Sequence, residues 1–402
     1  MKRPQKNLVT FHKVAALKEK AGNFELLKFF FKREMTSGSG KTDFCACSGT
    51  KDSYNVLTGR IYKKFTARGV SEIFAKSMEK FKVVYTDNIY KDTSIEEQRF
   101  AEIGYDFSVA PAKDKETLKQ VCRDADAVML SFIEMDEELI NSLEKCKIIV
   151  RCGMGFNNVD IPAATRKGIM VANVQKYCLD EVSDHVMALV LTLMRRTAYM
   201  SSLLKKGEWA PAKARPMYRL RGSTFALYGL GGISSLVAKK AKSFGFNVVS
   251  YDPFLPDSYF EEMGVARIAT EEELFACADV LSIHLPLNEK TAKLVNMEKF
   301  KLMKPNAIFI NTARGGLVDE ADMIKALQDG IIGGAGIDVF ADEYPDMSNP
   351  LFQMDNVIAS PHVAYYSEAS DVDLRNYAIN QVVGALRDGA PEFFLNKKEL
   401  GR

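Results

Sequence analysis

At 402 residues the chain is long enough for two domains of ordinary size, and 47% hydrophobic with 26% charged residues is the composition of a globular protein, not a disordered one. The formal net charge of +2 hides an uneven distribution: residues 1–80 carry 17 Lys and Arg against 7 Asp and Glu, leaving 37 and 45 for the rest. A basic extension on an acidic body reads as a solvated tail, with no nucleic-acid partner expected. The seven cysteines are odd in number and form no CxxC, and Cys45 and Cys47 lack the other ligands of a zinc site. Reduced thiols, a cytoplasmic setting and no metal are expected. The N-terminus has no continuous apolar stretch of a secretory leader, and the longest apolar span, Val186 to Met194, is far short of a bilayer crossing.

Within the extension, Val14 to Phe31 has the spacing of an amphipathic helix and Ser37-Gly38-Ser39-Gly40 that of a flexible joint. Gly40-Lys41-Thr42 is not a phosphate loop, because Met35 stands where the first glycine is required and no strand precedes it. Regular alternation starts at Lys82. Val83-Val84-Tyr85, Asp106 to Val109, Ala127 to Leu130 and Ile148 to Val150 read as strands; Ser94 to Ile103, Lys115 to Arg123 and Met135 to Leu143 read as the helices between them. The loop Arg151 to Asp160 holds two glycines that let backbone N–H groups face a ligand. Asp180 to Met194 is a long apolar helix suited to joining two domains.

Phe225 to Asp252 forms one strand, helix, strand unit. Gly229-Leu230-Gly231-Gly232-Ile233-Ser234 occupies its first turn, where a dinucleotide fold needs a tight bend and a helix N-terminus open to a pyrophosphate. Asp252, about twenty residues on, is placed to accept hydrogen bonds from a ribose. Ser234 replaces the third glycine; its small hydroxyl can return to the backbone. No arginine follows Asp252 to receive a 2′-phosphate, so the expected cofactor is NAD, not NADP. Further strands at Asp279 to His284, Ala307 to Asn311, Gly334 to Phe340 and Val357 to Ala359 end beside Arg314, Glu343 and His362. In an open parallel sheet, ligands bind beyond those carboxyl ends.

Reduction of a 2-keto acid needs a cation for the carboxylate and keto oxygen, an acid for the oxygen, and a carboxylate to hold that acid. Arginine, histidine and glutamate suit these roles. Of the four histidines, His12 lies in the extension, His185 is assigned to packing or capping within its helix, and His284 to structure before a proline turn. His362 remains for chemistry.

Gly229 to Ser234, Asn311 to Glu320, Asp338-Val339-Phe340 with Glu343, and Pro361-His362 together resemble the D-isomer-specific 2-hydroxyacid dehydrogenase family, in order over roughly residues 82–402. Phe244 to Val248, Tyr251-Asp252-Pro253 and Tyr366-Ser367-Glu368-Ala369 resemble most its branch of C-terminal-binding proteins, NAD(H)-binding corepressors in animals. The resemblance implies an α/β architecture of two Rossmann-like doubly wound parallel-sheet domains with a cleft between them, behind the N-terminal extension of residues 1–80. Residues 82–180 and 363–402 would form the substrate-binding domain and residues 181–362 the NAD-binding domain. It implies Arg314, Glu343 and His362 as catalytic residues, and Met154, Gly155 and Arg314 at the substrate. Gly229, Gly231, Gly232, Ile233, Asp252, Leu285, Thr312, Ala313 and Asp338, with Met154, Arg314 and His362, would line the NAD site. Gly232, Ser234 and Asn157 depart from the residues usual there, and Tyr365 stands where the corepressor branch has tryptophan. The implied activity interconverts a small 2-keto acid and its (R)-2-hydroxy acid by hydride transfer, in a homodimer without a membrane partner; the alternative is an NAD(H)-sensing scaffold.

Overall fold

The computed structural model describes residues 80–90 and 92–401. The expectations for Val14 to Phe31, the Ser37–Gly40 joint and the Cys45–Cys47 pair lie outside the described residues. Two parallel sheets organise the rest. The first contains β1 (Lys82–Tyr85), β2 (Asp106–Val109), β3 (Ala127–Leu130), β4 (Ile148–Arg151) and β5 (Met170–Asn173), in the order β2-β1-β3-β4-β5. The second contains β6 (Thr224–Tyr228), β7 (Asn247–Tyr251), β8 (Ala266–Arg267), β9 (Val280–Ile283), β10 (Ile308–Asn311), β11 (Gly334–Ile337) and β12 (Val357–Ala359), in the order β12-β11-β10-β9-β6-β7-β8.

Burial explains the strand sequences. Ala127–Leu130 and Met170–Asn173 are buried at every residue, because helices cover both faces of a parallel sheet; the first is an unbroken apolar run, and the second is apolar up to Asn173. The edge strand Asp106–Val109 is mostly exposed and mixes polar with apolar residues. In each sheet the strand order reverses once, between β1 and β3 and between β6 and β9. Such reversals leave a crevice at the carboxyl ends of the strands.

Two long helices tie the layers together. Leu179–Met194 puts Val182 into the core of the first sheet and Val186, Leu189, Val190 and Met194 into the core of the second. Glu368–Asp388 starts at a reciprocal cap, Ser367 and Ser370 each accepting the other's backbone N–H, and ends at Gly389 in the left-handed conformation. Its Leu374, Ala378, Ile379 and Val382 pack with Val83, Met129, Val150 and Ala172 of the first sheet. The first sheet is thus completed by the far end of the chain.

Candidate active site

The β6–β7 unit builds a cradle from backbone. Gly229 has φ +87°, and a Cβ there would come within 2.9 Å of the His284 carbonyl oxygen, so the turn needs glycine on both counts. Gly231 has open space where a side chain would be, and the 12-residue helix Gly232–Ser243 starts immediately after it. Ser234 is buried, and its Oγ donates to the Gly231 carbonyl at 3.1 Å. The Asp252 carboxylate is fixed by the N–H groups of Leu230 and Phe254, each at 3.0 Å. Gly232, at the helix start, faces Leu179 of the linking helix, whose side chain would lie 3.6 Å from an added Cβ.

A cavity of about 550 Å³ opens beyond the strand ends. From the second sheet it is lined by Gly231, Gly232, Ile233, Leu285, Thr312, Ala313, Arg314, Asp338 and His362; from the first, by Met154 and Gly155. Gly229 and Asp252 are not among its lining residues. Glu343 stands behind His362, Oε1 lying 2.5 Å from the imidazole Nδ1. That hydrogen bond, with the charges of His362, Arg314 and Arg151, holds the Glu343 carboxyl below its ordinary range. His362 itself has φ +53°, a left-handed backbone that a non-glycine residue holds only when its surroundings impose it.

Asp338 imposes it. Its carbonyl accepts the His362 N–H at 2.8 Å, and its fully buried carboxylate accepts from Val363 N at 3.0 Å, Ala364 N at 2.9 Å and Ser360 Oγ at 2.6 Å. Arg314 is drawn in between the layers. Its Nη1 donates to the Ala313 carbonyl at 2.6 Å, and Nη2 occupies the place of the missing Gly155 side chain, 1.7 Å from where a Cβ would be. Burial, then the nearby Arg151, lowers its affinity for its proton.

Arg151 was not singled out from the sequence, and it mirrors Arg314. It ends β4, its guanidinium fills the space above Gly153, and its buried Nε has no hydrogen-bond partner among the described residues. The available signal was an arginine closing an otherwise apolar strand, Ile148-Ile149-Val150. Asn173, at the end of β5, is the second such residue: Nδ2 donates to the Met154 carbonyl at 2.6 Å while the buried Oδ1 has no partner among the described residues. With its carbonyl thus engaged, the Met154 N–H and that of Gly155 have no partner among the described residues. Asn157 donates to the Leu287 carbonyl at 3.1 Å, a bond an aspartate could not make. Tyr365 stands edge-on to His362, ring centres 6.2 Å apart.

The geometry has counterparts. The family model described as D-isomer specific 2-hydroxyacid dehydrogenase, NAD binding domain, matches residues 187–364. Glyoxylate reductase of Thermococcus litoralis is 32% identical over 345 residues, 84% of this chain and 98% of the relative. The chain belongs to the D-isomer specific 2-hydroxyacid dehydrogenase family.

This is a family of oxidoreductases that bind a nicotinamide dinucleotide. D-3-phosphoglycerate dehydrogenase of Methanocaldococcus jannaschii is a 2-hydroxyacid dehydrogenase relative 36% identical over 320 residues, 79% of this chain; the chain spans 60% of that relative's length. Among solved structures, the NADPH-dependent glyoxylate/hydroxypyruvate reductase of Sinorhizobium meliloti, in complex with NADP and malonate, superposes with a TM-score of 0.70 at 26% identity, covering 79% of this chain and 97% of that one. The 2-hydroxyacid dehydrogenase fold therefore accommodates either nicotinamide dinucleotide. The residues here fit such a group: a turn closed to any side chain at Gly229 and open beside Gly231, a helix N-terminus, a fixed carboxylate, and a buried Thr312 Oγ1 with no partner among the described residues. Among the described residues no cluster of three metal-ligating side chains occurs, and no helix is long and apolar enough to cross a membrane.

Proposed function

We propose that the chain is an NAD-dependent D-2-hydroxyacid dehydrogenase interconverting a small 2-keto acid and its (R)-2-hydroxy acid. The observation that carries this reading is the hydrogen-bonded His362–Glu343 pair on the wall of the cavity that Arg314 enters. NADH, when bound, supplies the hydride for the substrate's second carbon. Arg314 holds the carboxylate and keto oxygen with its fork of donors, and the N–H groups of Met154 and Gly155 take the carboxylate's other face. His362 gives a proton to the keto oxygen during reduction and takes it back during oxidation. Glu343, kept ionised, engages Nδ1, which leaves Nε2 as the atom facing the substrate.

In this reading residues 82–180 with 363–402 hold the acid, residues 181–362 hold the dinucleotide, and the cavity is their seam. NAD is favoured over NADP because the fixed Asp252 carboxylate would repel a 2′-phosphate. A homodimer belongs to the same reading, supported by the exposed apolar side chains of Leu204, Trp209, Met217 and Tyr218 along one stretch of chain. Residues 244–253 and 366–369 support a place near the C-terminal-binding protein branch. Turnover is nevertheless favoured over a scaffold, since both curated relatives are named as enzymes.

The experiment is NADH oxidation with glyoxylate, hydroxypyruvate, pyruvate, phenylpyruvate, 2-ketoisocaproate and 3-phosphohydroxypyruvate. The expected result is turnover of at least one, faster with NADH than NADPH, and lost in Arg314→Ala and His362→Ala. Tight NADH binding with no turnover of any acid refutes the enzyme reading.

A further inference from the structure

The left-handed loop that carries His362 is held from outside its own segment. Ser360 has one hydroxyl proton, and its 2.6 Å contact with the buried Asp338 carboxylate commits that proton to Oδ1. Ser360 Oγ also lies 2.8 Å from His185 Nε2, and with its own proton committed it can only accept there. The donor must be His185 Nε2–H, and this fixes the histidine's protonated nitrogen from the geometry. His185 belongs to the linking helix, 175 residues away in sequence, and its Nε2 is also 3.7 Å from Asp338 Oδ1. The chain of donors runs His185 to Ser360 to Asp338, and Asp338 holds the backbone N–H groups of His362, Val363 and Ala364.

We propose that His185 and Ser360 are positioning residues: through Asp338 they set the left-handed turn that aims the His362 imidazole into the cavity. Neither touches the reacting atoms. The proposal rests on the reading of His362 as the acid and base. It makes the linking helix part of the apparatus that orients the proton donor, since a shift of that helix would pull on Ser360 directly.

Ser360→Ala, Ser360→Thr, His185→Ala, His185→Gln and the double alanine variant are compared with wild type and with His362→Ala. Measured are kcat and KM for the best keto acid, and NADH affinity by fluorescence. Each single alanine variant is expected to lose about tenfold in kcat, equivalent to about 1.4 kcal/mol. KM is expected to stay within about twofold, because ground-state binding is untouched. Threonine keeps the hydroxyl and glutamine keeps a donor at the ε position, so both should recover most of kcat. The double variant should lose no more than the worse single one, as links of one chain do. Unchanged kcat in both alanine variants, additive losses, or no recovery with Thr and Gln overturns the proposal. An impaired His362→Ala beside normal Ser360 and His185 variants refutes the positioning chain alone, whereas a fully active His362→Ala refutes the reading beneath it. One measurement needs no turnover or mutation: the long-range ¹H–¹⁵N spectrum of the wild-type imidazoles should show His185 protonated at Nε2, and a neutral ring protonated at Nδ1 overturns the chain directly.

Discussion

Gly155→Ala is a small change that would push directly on the Arg314 guanidinium. Gly155 is not in a left-handed conformation, so alanine meets no backbone objection. The new methyl would sit 1.7 Å from Arg314 Nη2 and 2.8 Å from Cζ. Restoring an ordinary contact of about 3.5 Å requires the guanidinium to retreat by roughly 2 Å. Arg314 is drawn in between the layers and already bonded to the Ala313 carbonyl, so it must leave the place where it would meet a carboxylate. Misplacing a positioning group by about 1 Å costs on the order of 10²-fold, which is about 2.7 kcal/mol in kcat/KM for the keto acid. The atoms nearest the new methyl all belong to Arg314 and none to the glycine turn, so NADH affinity should change by less than about threefold, and overpacking should lower stability by about 1–3 kcal/mol at most. Steady-state kinetics, NADH fluorescence titration and thermal melting separate these effects. A Gly155→Ala protein with wild-type kcat/KM would show that Arg314 is not the carboxylate's partner or does not need this seat.

Other outcomes follow from particular contacts. Gly229→Ala combines a positive φ with a 2.9 Å approach to the His284 carbonyl; it should cost about 2–4 kcal/mol of stability by melting and weaken NADH binding at least tenfold, and a protein unchanged in both would remove the argument for glycine there. Burial lowers the His284 pKa from 6.5 to about 4. Below about pH 6.5 the unfolded chain gains a proton that the folded histidine refuses, so this contribution is whole above that pH and declines as pH falls toward 4. His284→Gln should therefore lose about 1–2 kcal/mol of the wild-type stability difference between pH 7 and 5, measured by urea unfolding; an identical pH slope in both proteins would sink this assignment. Arg375 and Glu96 form a buried pair, Nε to Oε1 at 2.8 Å. Arg375→Met should cost about 3–5 kcal/mol by leaving a carboxylate stranded, and Glu96→Leu added to it should restore most of that; a double variant no more stable than the single one would contradict the charge argument.

Sequence patterns exposed some features here and concealed others for identifiable reasons. Ala127–Leu130 and Ile308–Asn311 are buried on both faces and announce themselves as apolar runs. Met170–Asn173 is just as buried, but its apolar run is broken by Asn173, and the sequence does not mark it as clearly. The expected strand from Gly334 to Phe340 stops at Ile337, because the Asp338 side chain ties down the chain that returns beside it. The expected helix from Met135 starts at Glu137: Asp136 caps it by accepting from Leu139 N, and Met135 bridges to Val159 instead. Within the site, the glycine turn and the Arg314, Glu343 and His362 group are local in their motifs and could be read off. Arg151 and Asn173 end neighbouring strands 22 residues apart in sequence, and only strand pairing brings them to one cavity. His185 could be read only as one residue of an apolar helix, since its partner, Ser360, lies 175 positions later.

The Glu368–Asp388 helix that finishes the first sheet also dictates an order of assembly. As the chain leaves the ribosome, residues 82–173 emerge before the strands of the second sheet, yet one face of their sheet has only partial cover, from Phe100 and then Tyr177 to Val182, until residues 374–386 have been made. The second sheet takes all its strands from residues 224–359, so its core can close while the earlier strands are still waiting. The first sheet, though translated before the second, is therefore the later one to be completed, and its Val83, Met129 and Val150 face stays partly open to other nascent chains in the meantime.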